Sequence, residues 1–313
     1  EKAIKTLLST GNEALIAFTK RNLLGETVTL EELWTLPRVK EYLNQQTNGS
    51  WIYPNKKATL RSPTNYNQYQ TYKTLAELVE FYGLNKKHAA IKKAAEYLFL
   101  FQTNEGEFRG MYGNQYSPNY SASITEFLIR QDMAAQESEI TRLAAYYEAG
   151  DGGWAIHLRT KNRGLDALNE KETIEPDKQA ILPPSNGYCA KTILAGAAYR
   201  SKVKDAGMLL AGRVFTRDKY LDRQGIEYWT KFTYPYHWTD ILSTIATLTL
   251  LGIYDHPKIN EIMHWFEKHK QDNGIYKVSV MTGAKYKDVK YWITLQYLTV
   301  LKRAHATAHM LHK

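Results

Sequence analysis

The sequence predicts an all-α protein arranged as a ring of about five to six helical hairpins, each with an outer and an inner helix. Three observations point to this architecture. Apolar residues recur at helical spacing, a glycine-aromatic turn recurs along the chain, and charged helices alternate with apolar ones. No alternating pattern of the kind that marks β-strands competes with them. We therefore expect one domain over residues 1–313.

Helical periodicity is clearest in two segments. Residues 89–101 (AAIKKAAEYLFLF) place lysines opposite an apolar face, as in an outer helix with one side in water. Residues 241–251 (ILSTIATLTLL) are apolar nearly all round, as in an inner helix that is buried on most sides. Gly83 and Gly252 follow apolar helical runs, where the glycines that end helices belong.

A short turn that combines glycine with an aromatic residue recurs between the helices. The copies are QTNGSW (46–51), QTNEGEF (102–108), GDGGW (150–154), QDNGIY (271–276) and a weaker QGIEYW (224–229). Glycine supplies the positive φ that such a turn needs, and the aromatic ring packs on the neighbouring repeat. The glycines at 49, 106, 153, 225 and 274 are 57, 47, 72 and 49 residues apart, which is one helix pair per step. The longest step contains residues 157–185, which we interpret as a lid-like insertion.

The composition excludes several classes of protein. The 313 residues carry 41 Lys and Arg against 32 Asp and Glu, a formal net charge of +9, and 43% are hydrophobic, enough for a large core. No window is apolar over the roughly 18 residues that a membrane-spanning helix needs. The single cysteine, Cys189, forbids an internal disulfide and is typical of a reducing compartment. We therefore expect a soluble, cytoplasmic protein.

Aromatic residues supply the candidate binding surface. The chain has 23 Tyr and 7 Trp beside 9 Phe, and many of these rings fall at the starts of predicted inner helices. Rings with polar tips suit a partly wet surface better than a dry core, so we expect them to line one mouth of the ring. The residues expected to bind substrate are Tyr120, Tyr188, Tyr234, Trp238, Tyr291, Trp292 and, from a loop, Arg109.

The segment YPYHWTD (234–240) is the strongest candidate for a chemical site. Its proline precedes an inner helix whose first turn is polar and aromatic, a position that presents side chains and free N–H groups to a ligand. Asp240 lies about one helical turn from Tyr236 and His237, close enough for a carboxylate contact with either. We expect these three residues to be catalytic. The alternative is that Asp240 only stabilises the first turn of its helix.

The four clear turns resemble degenerate copies of the Q-x-x-D-G-x-W repeat of the terpenoid cyclase and protein prenyltransferase superfamily, over roughly residues 34–303. The resemblance implies an α/α toroid that binds an apolar or isoprenoid-type ligand in an aromatic-lined central cavity. It implies a prenyl or terpenoid transferase, or a cyclase-like lyase. The D-x-D-D motif of protonating cyclases and the D-D-x-x-D magnesium motif are both absent from this chain, which favours transfer with release of diphosphate over protonation.

The same resemblance raises the question of zinc, which protein prenyltransferases hold through Asp, Cys and His. Cys189, His237 and Asp240 are the corresponding residue types at predicted inner-helix starts. The Asp-x-Cys spacing of the family is missing around Cys189. A site without metal is therefore the favoured prediction, and the cofactor stays unassigned.

Two other functions are consistent with these features. A carbohydrate-active toroid, such as a polysaccharide lyase or a glycosidase, would stack sugars on its aromatic rings and neutralise acidic sugars with its basic residues. A binding scaffold without catalysis is the other. Nucleic acid is not an expected partner, because lysines such as those at 86, 87, 92 and 93 lie along amphipathic helix faces and no nucleic-acid motif occurs.

Overall fold

The computed structural model describes residues 1–54, 63–102, 108, 124, 128, 204–216, 226–235, 240–281 and 287–311. Most of these residues are helical, and the strands among them have two residues each, so the all-α prediction is confirmed for this part of the chain. Within the same ranges, no helix has the length and apolar character needed to cross a bilayer. The turn at 150–154 and the insertion at 157–185 lie outside the described residues.

The helices and strands have the following bounds. In chain order they are α1 (Lys2–Leu8), α2 (Glu13–Thr19), a π-helix (Lys20–Leu24), a 3-10 helix (Leu30–Thr35), α3 (Pro37–Asn44), β1 (Gln46–Thr47), β2 (Ser50–Trp51), α4 (Pro63–Tyr82), α5 (Ala89–Phe99), α6 (Lys204–Arg213), a 3-10 helix (Ile226–Thr230), β3 (Lys231–Phe232), α7 (Ile241–Leu250), α8 (Pro257–Lys268), β4 (Ser279–Val280) and α9 (Val289–Leu311). β1 pairs with β2 antiparallel, and β3 pairs with β4 parallel.

The chain forms two compact units. The first unit joins Glu1–Leu30 to Lys202–Lys313, and the second comprises Glu31–Ser201. In the first, α9 contacts α7, α1, α2 and the π-helix. Its core contains a cluster of buried rings in which Phe266 stacks on Tyr297 at 3.7 Å between centroids and Tyr276 meets both edge-on. In the second, α4 contacts α3, β2 and α5.

Helices α4 and α7 end in the same way. Gly83 and Gly252 follow them with φ of +66° and +73°, as predicted, because a helix that stops in this left-handed conformation favours glycine. The next residues, Leu84 and Ile253, are buried, and their N–H groups bond back to the helix at 3.1 and 3.0 Å. A backbone N–H and an apolar side chain thus fix each helix end together.

The helices that follow them, α5 and α8, each begin at a histidine. Nδ1 of His88 accepts the N–H of Ala90 at 3.2 Å, and Nδ1 of His256 accepts that of Lys258 at 3.3 Å. The two repeats also have the same spacing between this histidine and the next turn. In each repeat, an isolated β-bridge joins the residue 14 positions after the histidine to the residue 20 positions after it. Those bridged pairs are Gln102 with Phe108 and Lys270 with Tyr276.

The first and last turns are fastened to the following helix by the same hydrogen bond. The N–H of Trp51 donates to Oγ1 of Thr71 at 3.0 Å, and the N–H of Tyr276 donates to Oγ1 of Thr294 at 3.2 Å. Each hydroxyl in turn donates to the carbonyl four residues earlier in its helix, at 2.7 and 2.8 Å. All four residues are buried. The sequence repeat is therefore also a repeat of structure.

Glycine lets these turns lie directly on a helix backbone. A Cβ on Gly49 (φ +82°) would sit 2.3 Å from the carbonyl oxygen of Lys93 on α5. A Cβ on Gly274 (φ +83°) would sit 2.5 Å from the amide nitrogen of Ala3 on α1. The N-terminal helix α1 thus takes, for the last turn, the position that α5 takes for the first.

Candidate functional site

Four of the residues predicted to form the site lie in the described part of the chain, namely Tyr234, Asp240, Tyr291 and Trp292. The other predicted residues lie outside the described part. They are Tyr236, His237 and Trp238 in the segment 234–240, the predicted binding residues Tyr120, Tyr188 and Arg109, and Cys189, which was considered as a zinc ligand. The predictions made for those residues remain predictions.

Asp240 caps helix α7. Its carboxylate accepts the N–H of Ser243 at 2.8 Å, and the hydroxyl of Ser243 accepts the N–H of Asp240 at 3.0 Å, which is a capping box. Asp240 is only 3% exposed. Asp240 therefore stabilises the first turn of its helix, which was the alternative to a catalytic role. The catalytic role of Asp240 stays a prediction.

The predicted aromatic binding residues Tyr234, Tyr291 and Trp292 differ in their burial and in their contacts. The hydroxyl of Tyr234 accepts a hydrogen bond from Nε2 of Gln296 at 2.9 Å, and Tyr234 is buried. Trp292 is also buried and meets Phe18 of α2 edge-on, with centroids 5.6 Å apart. Tyr291 is half-buried, and Nζ of Lys290 lies 5.0 Å from its ring centre. Tyr291 is thus the most exposed of these three predicted binding residues.

A group of half-buried tyrosines lies at the start of α4, in the second unit. Tyr53, Tyr66 and Tyr69 form this tyrosine patch. The ring of Tyr53 lies 5.1 Å from that of Tyr66 and 6.4 Å from that of Tyr69, and the N–H of Tyr53 is held by Oδ1 of Asn67 at 2.9 Å. Tyr66 and Tyr69 lie in the first two turns of α4, so this helix carries aromatic rings near its start.

A charged cluster adjoins the tyrosine patch along α4. It consists of Arg38 and Tyr42 from α3 and of Lys73 and Glu77 from α4. Nη2 of Arg38 donates to the hydroxyl of Tyr42 at 2.9 Å, and that hydroxyl donates to the buried carboxylate of Glu77. Nζ of Lys73 lies 5.4 Å from the ring centre of Tyr69, so Lys73 joins the cluster to the patch.

Burial perturbs two groups of the charged cluster. It raises the pKa of Tyr42, and the negative charge of Glu77 raises that pKa further, so Tyr42 stays a hydrogen-bond donor at neutral pH. Burial also lowers the pKa of Lys73, against the opposing attraction of Glu77. Groups with shifted pKa values beside a partly exposed aromatic surface are typical of functional sites. Structural hydrogen-bond networks shift pKa values in the same way.

The sequence contains a signal for this cluster that is separate from the glycine-aromatic turns and from the YPYHWTD segment. Lys73 and Glu77 lie one helical turn apart within a helix whose other central residues are largely apolar. A charged pair on an apolar helix needs a partner from another element. That partner, Tyr42, lies 35 residues earlier, and only the packing of α3 on α4 reveals it.

The first unit contains a surface pocket of about 670 Å³ beside the last turn, with Ala3 and Gly274 in its wall. Its charged rim is largely paired, because Glu267 bonds Lys270 at 3.0 Å and Lys302 donates to two backbone carbonyls. This balance of opposite charges selects no class of ligand. Among the described residues, no three His, Cys, Asp or Glu side chains come together as the ligands of a metal would.

Comparisons with known protein families, with curated proteins and with solved structures found no match for this chain. Its candidate functions therefore rest on the repeated hairpin architecture, the tyrosine patch and the charged cluster.

Proposed function

We propose that the chain is an α/α toroid of the terpenoid cyclase and protein prenyltransferase type that binds an apolar or isoprenoid-type ligand against aromatic rings at the starts of its inner helices. The repeated hairpin carries this proposal. In the first and last turns, a backbone N–H donates to a threonine of the following helix, and a glycine lies against the backbone of another helix. In the hairpins α4–α5 and α7–α8, the first helix is followed by a glycine with positive φ, and the second helix is capped by a histidine. A ring of such units brings inner-helix starts to one face.

The packing of α1 on the last turn supports the ring. Turn 46–51 packs on α5, the outer helix of the next hairpin, and turn 271–276 packs on α1 instead. A chain of hairpins that closes on itself needs such a contact between its last turn and its first helix. In this proposal the tyrosine patch is one part of the ligand wall, and Tyr236, His237 and Asp240 are the proposed catalytic residues at another inner helix.

Direct binding tests the proposed ligand class. A C15 isoprenoid alcohol titrated into the protein should quench tyrosine and tryptophan fluorescence and saturate. Replacing Tyr66 and Tyr69 together by alanine should weaken binding about fivefold or more, since each ring contributes about 0.5–1.5 kcal/mol of stacking. Tyr254→Ala is the matched control, because Tyr254 lies in the other unit, where its hydroxyl donates to the carbonyl of Thr249. Equal weakening by the control would count against the tyrosine patch as the ligand wall.

A carbohydrate-active protein is the second candidate, and the polar surroundings of the tyrosine patch favour it. Asn67, Gln70 and Lys73 are half-buried beside the rings, and sugars need both an aromatic face and hydrogen-bonding groups. An oligosaccharide of uronic acids is the corresponding probe. Saturable binding of the oligosaccharide without binding of the isoprenoid alcohol would replace the first candidate by the second.

Catalysis is tested at the predicted segment. With a prenyl diphosphate and an acceptor, release of diphosphate should be lost in His237→Ala while the melting temperature is unchanged. Asp240 is unsuited to this test alone, because its replacement also removes the cap of α7. No release of diphosphate from the unaltered protein under any acceptor condition would remove the transferase from the proposal.

A further inference from the structure

We propose that the end of helix α5 binds the surface of an anionic lipid bilayer, with Leu100 inserted among the lipids and lysines of the same helix against the headgroups. This inference goes beyond the proposed function and does not depend on it, because it concerns an outer surface of the second unit and no ligand of the tyrosine patch. It follows from the exposure of apolar side chains, from the repeat and from the charges of α5.

The exposed apolar side chains are the first argument. Among the described residues, the most exposed large apolar side chains are Leu100, directly after α5, at 78%, and Ile52, directly after β2, at 63%. β2 contacts α5, so the two side chains belong to adjoining elements. The half-buried rings of Tyr97 and Phe101 meet edge-on next to Leu100 in the chain, with centroids 5.3 Å apart. These four residues form the apolar patch.

The repeat shows that the fold does not require a leucine at position 100. His88 caps α5, and Leu100 lies 12 residues after it. His256 caps α8, and the residue 12 positions after it is Lys268, which is exposed as well. A charged residue is therefore sufficient at this position of the hairpin. The leucine of α5 exposes apolar surface that the hairpin itself does not need.

The same correspondence indicates which way position 100 faces. On α8, Glu267 and Lys270 line the surface pocket together with Ala3 of α1, so this side of the helix faces a neighbouring helix. Lys268 lies about 100° further round the helix than Glu267 and is exposed. Position 100 thus corresponds to the outer side of its hairpin, which a flat surface such as a bilayer can reach.

The charges of α5 are the third argument, and they favour an anionic surface. Lys92 and Lys93 are exposed on the helix about two turns before its end, and Glu96 is its exposed acid. Just before the helix, Lys86 and Lys87 are also exposed, and Lys87 pairs at 3.4 Å with a glutamate of the 3-10 helix at 30–35. Positive charge therefore predominates along the outer face that leads to the apolar patch.

The combination of charge and apolar surface distinguishes a bilayer from other partners. Lysines are attracted by the negative potential of anionic headgroups, and a leucine beside them gains by leaving water for the acyl chains. A nucleic acid would reward only the lysines, and an uncharged apolar partner would reward only the leucine. An anionic bilayer rewards both.

Sedimentation with lipid vesicles tests the inference on this chain. Vesicles of phosphatidylcholine mixed with phosphatidylserine should bind the protein at low salt. Vesicles of phosphatidylcholine alone should bind it about tenfold more weakly or less, and high salt should release it from the mixed vesicles. No binding to the mixed vesicles would overturn the proposal. Equal binding to both kinds of vesicle would also overturn it, because the lysines would then have no part in binding.

Leu100→Gln isolates the contribution of the leucine. It should weaken binding to the mixed vesicles about tenfold or more, through the loss of one inserted side chain. Its melting temperature should be unchanged, because the side chain is exposed. Leu250→Gln is the matched control, since Leu250 is an exposed leucine at the end of α7 in the other unit, and it should leave binding unchanged. Binding that survives Leu100→Gln would be electrostatic adsorption alone and would contradict the proposal.

A pair of lysine variants isolates the charge. Lys92→Gln combined with Lys93→Gln should weaken binding about tenfold or more. The matched pair is Lys231→Gln with Lys277→Gln, because both lysines are exposed in the other unit. An equal loss in the two pairs would show that the net charge of the chain causes adsorption, and the assignment to α5 would be wrong.

A second copy of the chain is the remaining alternative occupant of the apolar patch. Sedimentation equilibrium without lipid measures self-association directly. We expect Leu100→Gln to leave the oligomeric state unchanged. A dimer that Leu100→Gln dissociates would assign the patch to a protein interface and overturn the bilayer proposal.

Discussion

The imidazole of His88 holds the first turn of helix α5 through one nitrogen. Nδ1 can accept the N–H of Ala90 only while it carries no proton. The ring is half-buried and meets the edge of Trp34, with centroids 5.5 Å apart, and burial lowers the pKa of His88 from its usual value of 6.5. Between the folded and unfolded pKa values, the unfolded chain therefore binds more protons than the folded one.

The cap should consequently make the fold sensitive to acid. The stabilisation by His88 is complete above about pH 6.5 and is lost as the pH falls through the lower, folded pKa. His88→Ala should cost about 0.5–2 kcal/mol at neutral pH, and His88→Asn should keep the cap and remove its pH dependence. The free energy of unfolding from chemical denaturation, compared at neutral and mildly acidic pH, measures both effects.

His264, which is exposed on α8, supplies the control. His264→Asn makes the same change of side chain and leaves the cap at His88 in place. An unaltered acid sensitivity in His88→Asn would show that other groups cause it.

At the same scale, some residues were predictable and others were not. The positive φ of Gly83 and Gly252 follows from their place after apolar helical runs, because a helix end that needs the left-handed region favours glycine. The bond from Tyr42 to Glu77 has no local pattern, since it joins two helices across 35 residues. Local backbone preferences appear in the sequence, but contacts between elements depend on packing.

At the scale of the elements, Thr71 and Thr294 each connect a turn to the helix that follows it, and we expect the two hydrogen bonds to contribute equally to stability. Thr71→Val and Thr294→Val keep the side-chain shape but leave the buried N–H of Trp51 or Tyr276 without its acceptor. Each change should lower the free energy of unfolding by about 1–3 kcal/mol, whereas serine at either position should restore part of the loss. Chemical denaturation of the four variants measures this.

The matched control for these variants is Thr299→Val. The hydroxyl of Thr299, on the same helix as Thr294, donates to the carbonyl of Leu295 at 2.8 Å, and Thr299 is half-buried. Its replacement should change stability by less than about 0.5 kcal/mol. If Thr299→Val costs as much as Thr294→Val, the loss comes from the helix and not from the turn.

The repeat also bears on Asp240. Thr71 lies twelve residues before Gly83, and Asp240 lies twelve residues before Gly252. Asp240 thus occupies, on α7, the position of the threonine that receives a turn on α4. This correspondence and the capping box both argue for a structural role, because the residue types of this segment serve helix starts as well as catalysis.

At the scale of the whole chain, the contact of the last turn with α1 is one of several that join the first helices to the last part of the chain. Gly274→Ala would push a methyl group against the backbone of Ala3, whereas Gly25→Ala has the same left-handed conformation and open space around it. Both substitutions should lower the free energy of unfolding by about 1–2 kcal/mol, because alanine disfavours the left-handed conformation. Gly274→Ala should lower it by about 1–3 kcal/mol more, because of the close contact. The difference between their free energies of unfolding measures the close contact alone.

An equal loss in both variants would contradict the close packing at Ala3. Gly49→Ala provides a second comparison, because its Cβ would meet the carbonyl of Lys93 in the same way. Its extra loss should match that of Gly274→Ala.

At this scale the sequence predicted the helical class, the hairpin repeat and the turns at 46–51, 102–108 and 271–276. These depend on periodicity and on glycine, which act over a few residues. The docking of Gly274 on Ala3 was not predicted, because nothing in the residues near position 3 specifies a turn 271 residues away. The tyrosine patch was not among the predicted binding residues, because Tyr53 joins Tyr66 and Tyr69 only through the packing of the segment before α4 on that helix.

The place of α1 has a consequence for biosynthesis. The backbone that it packs against, at Gly274, is translated near the end of this chain, so α1 and α2 leave the ribosome long before that partner exists. Closing a contact over such a separation costs loop entropy and slows folding. Until the residues that form α9 have been made, α1 and α2 lack the native contacts that they make with that helix.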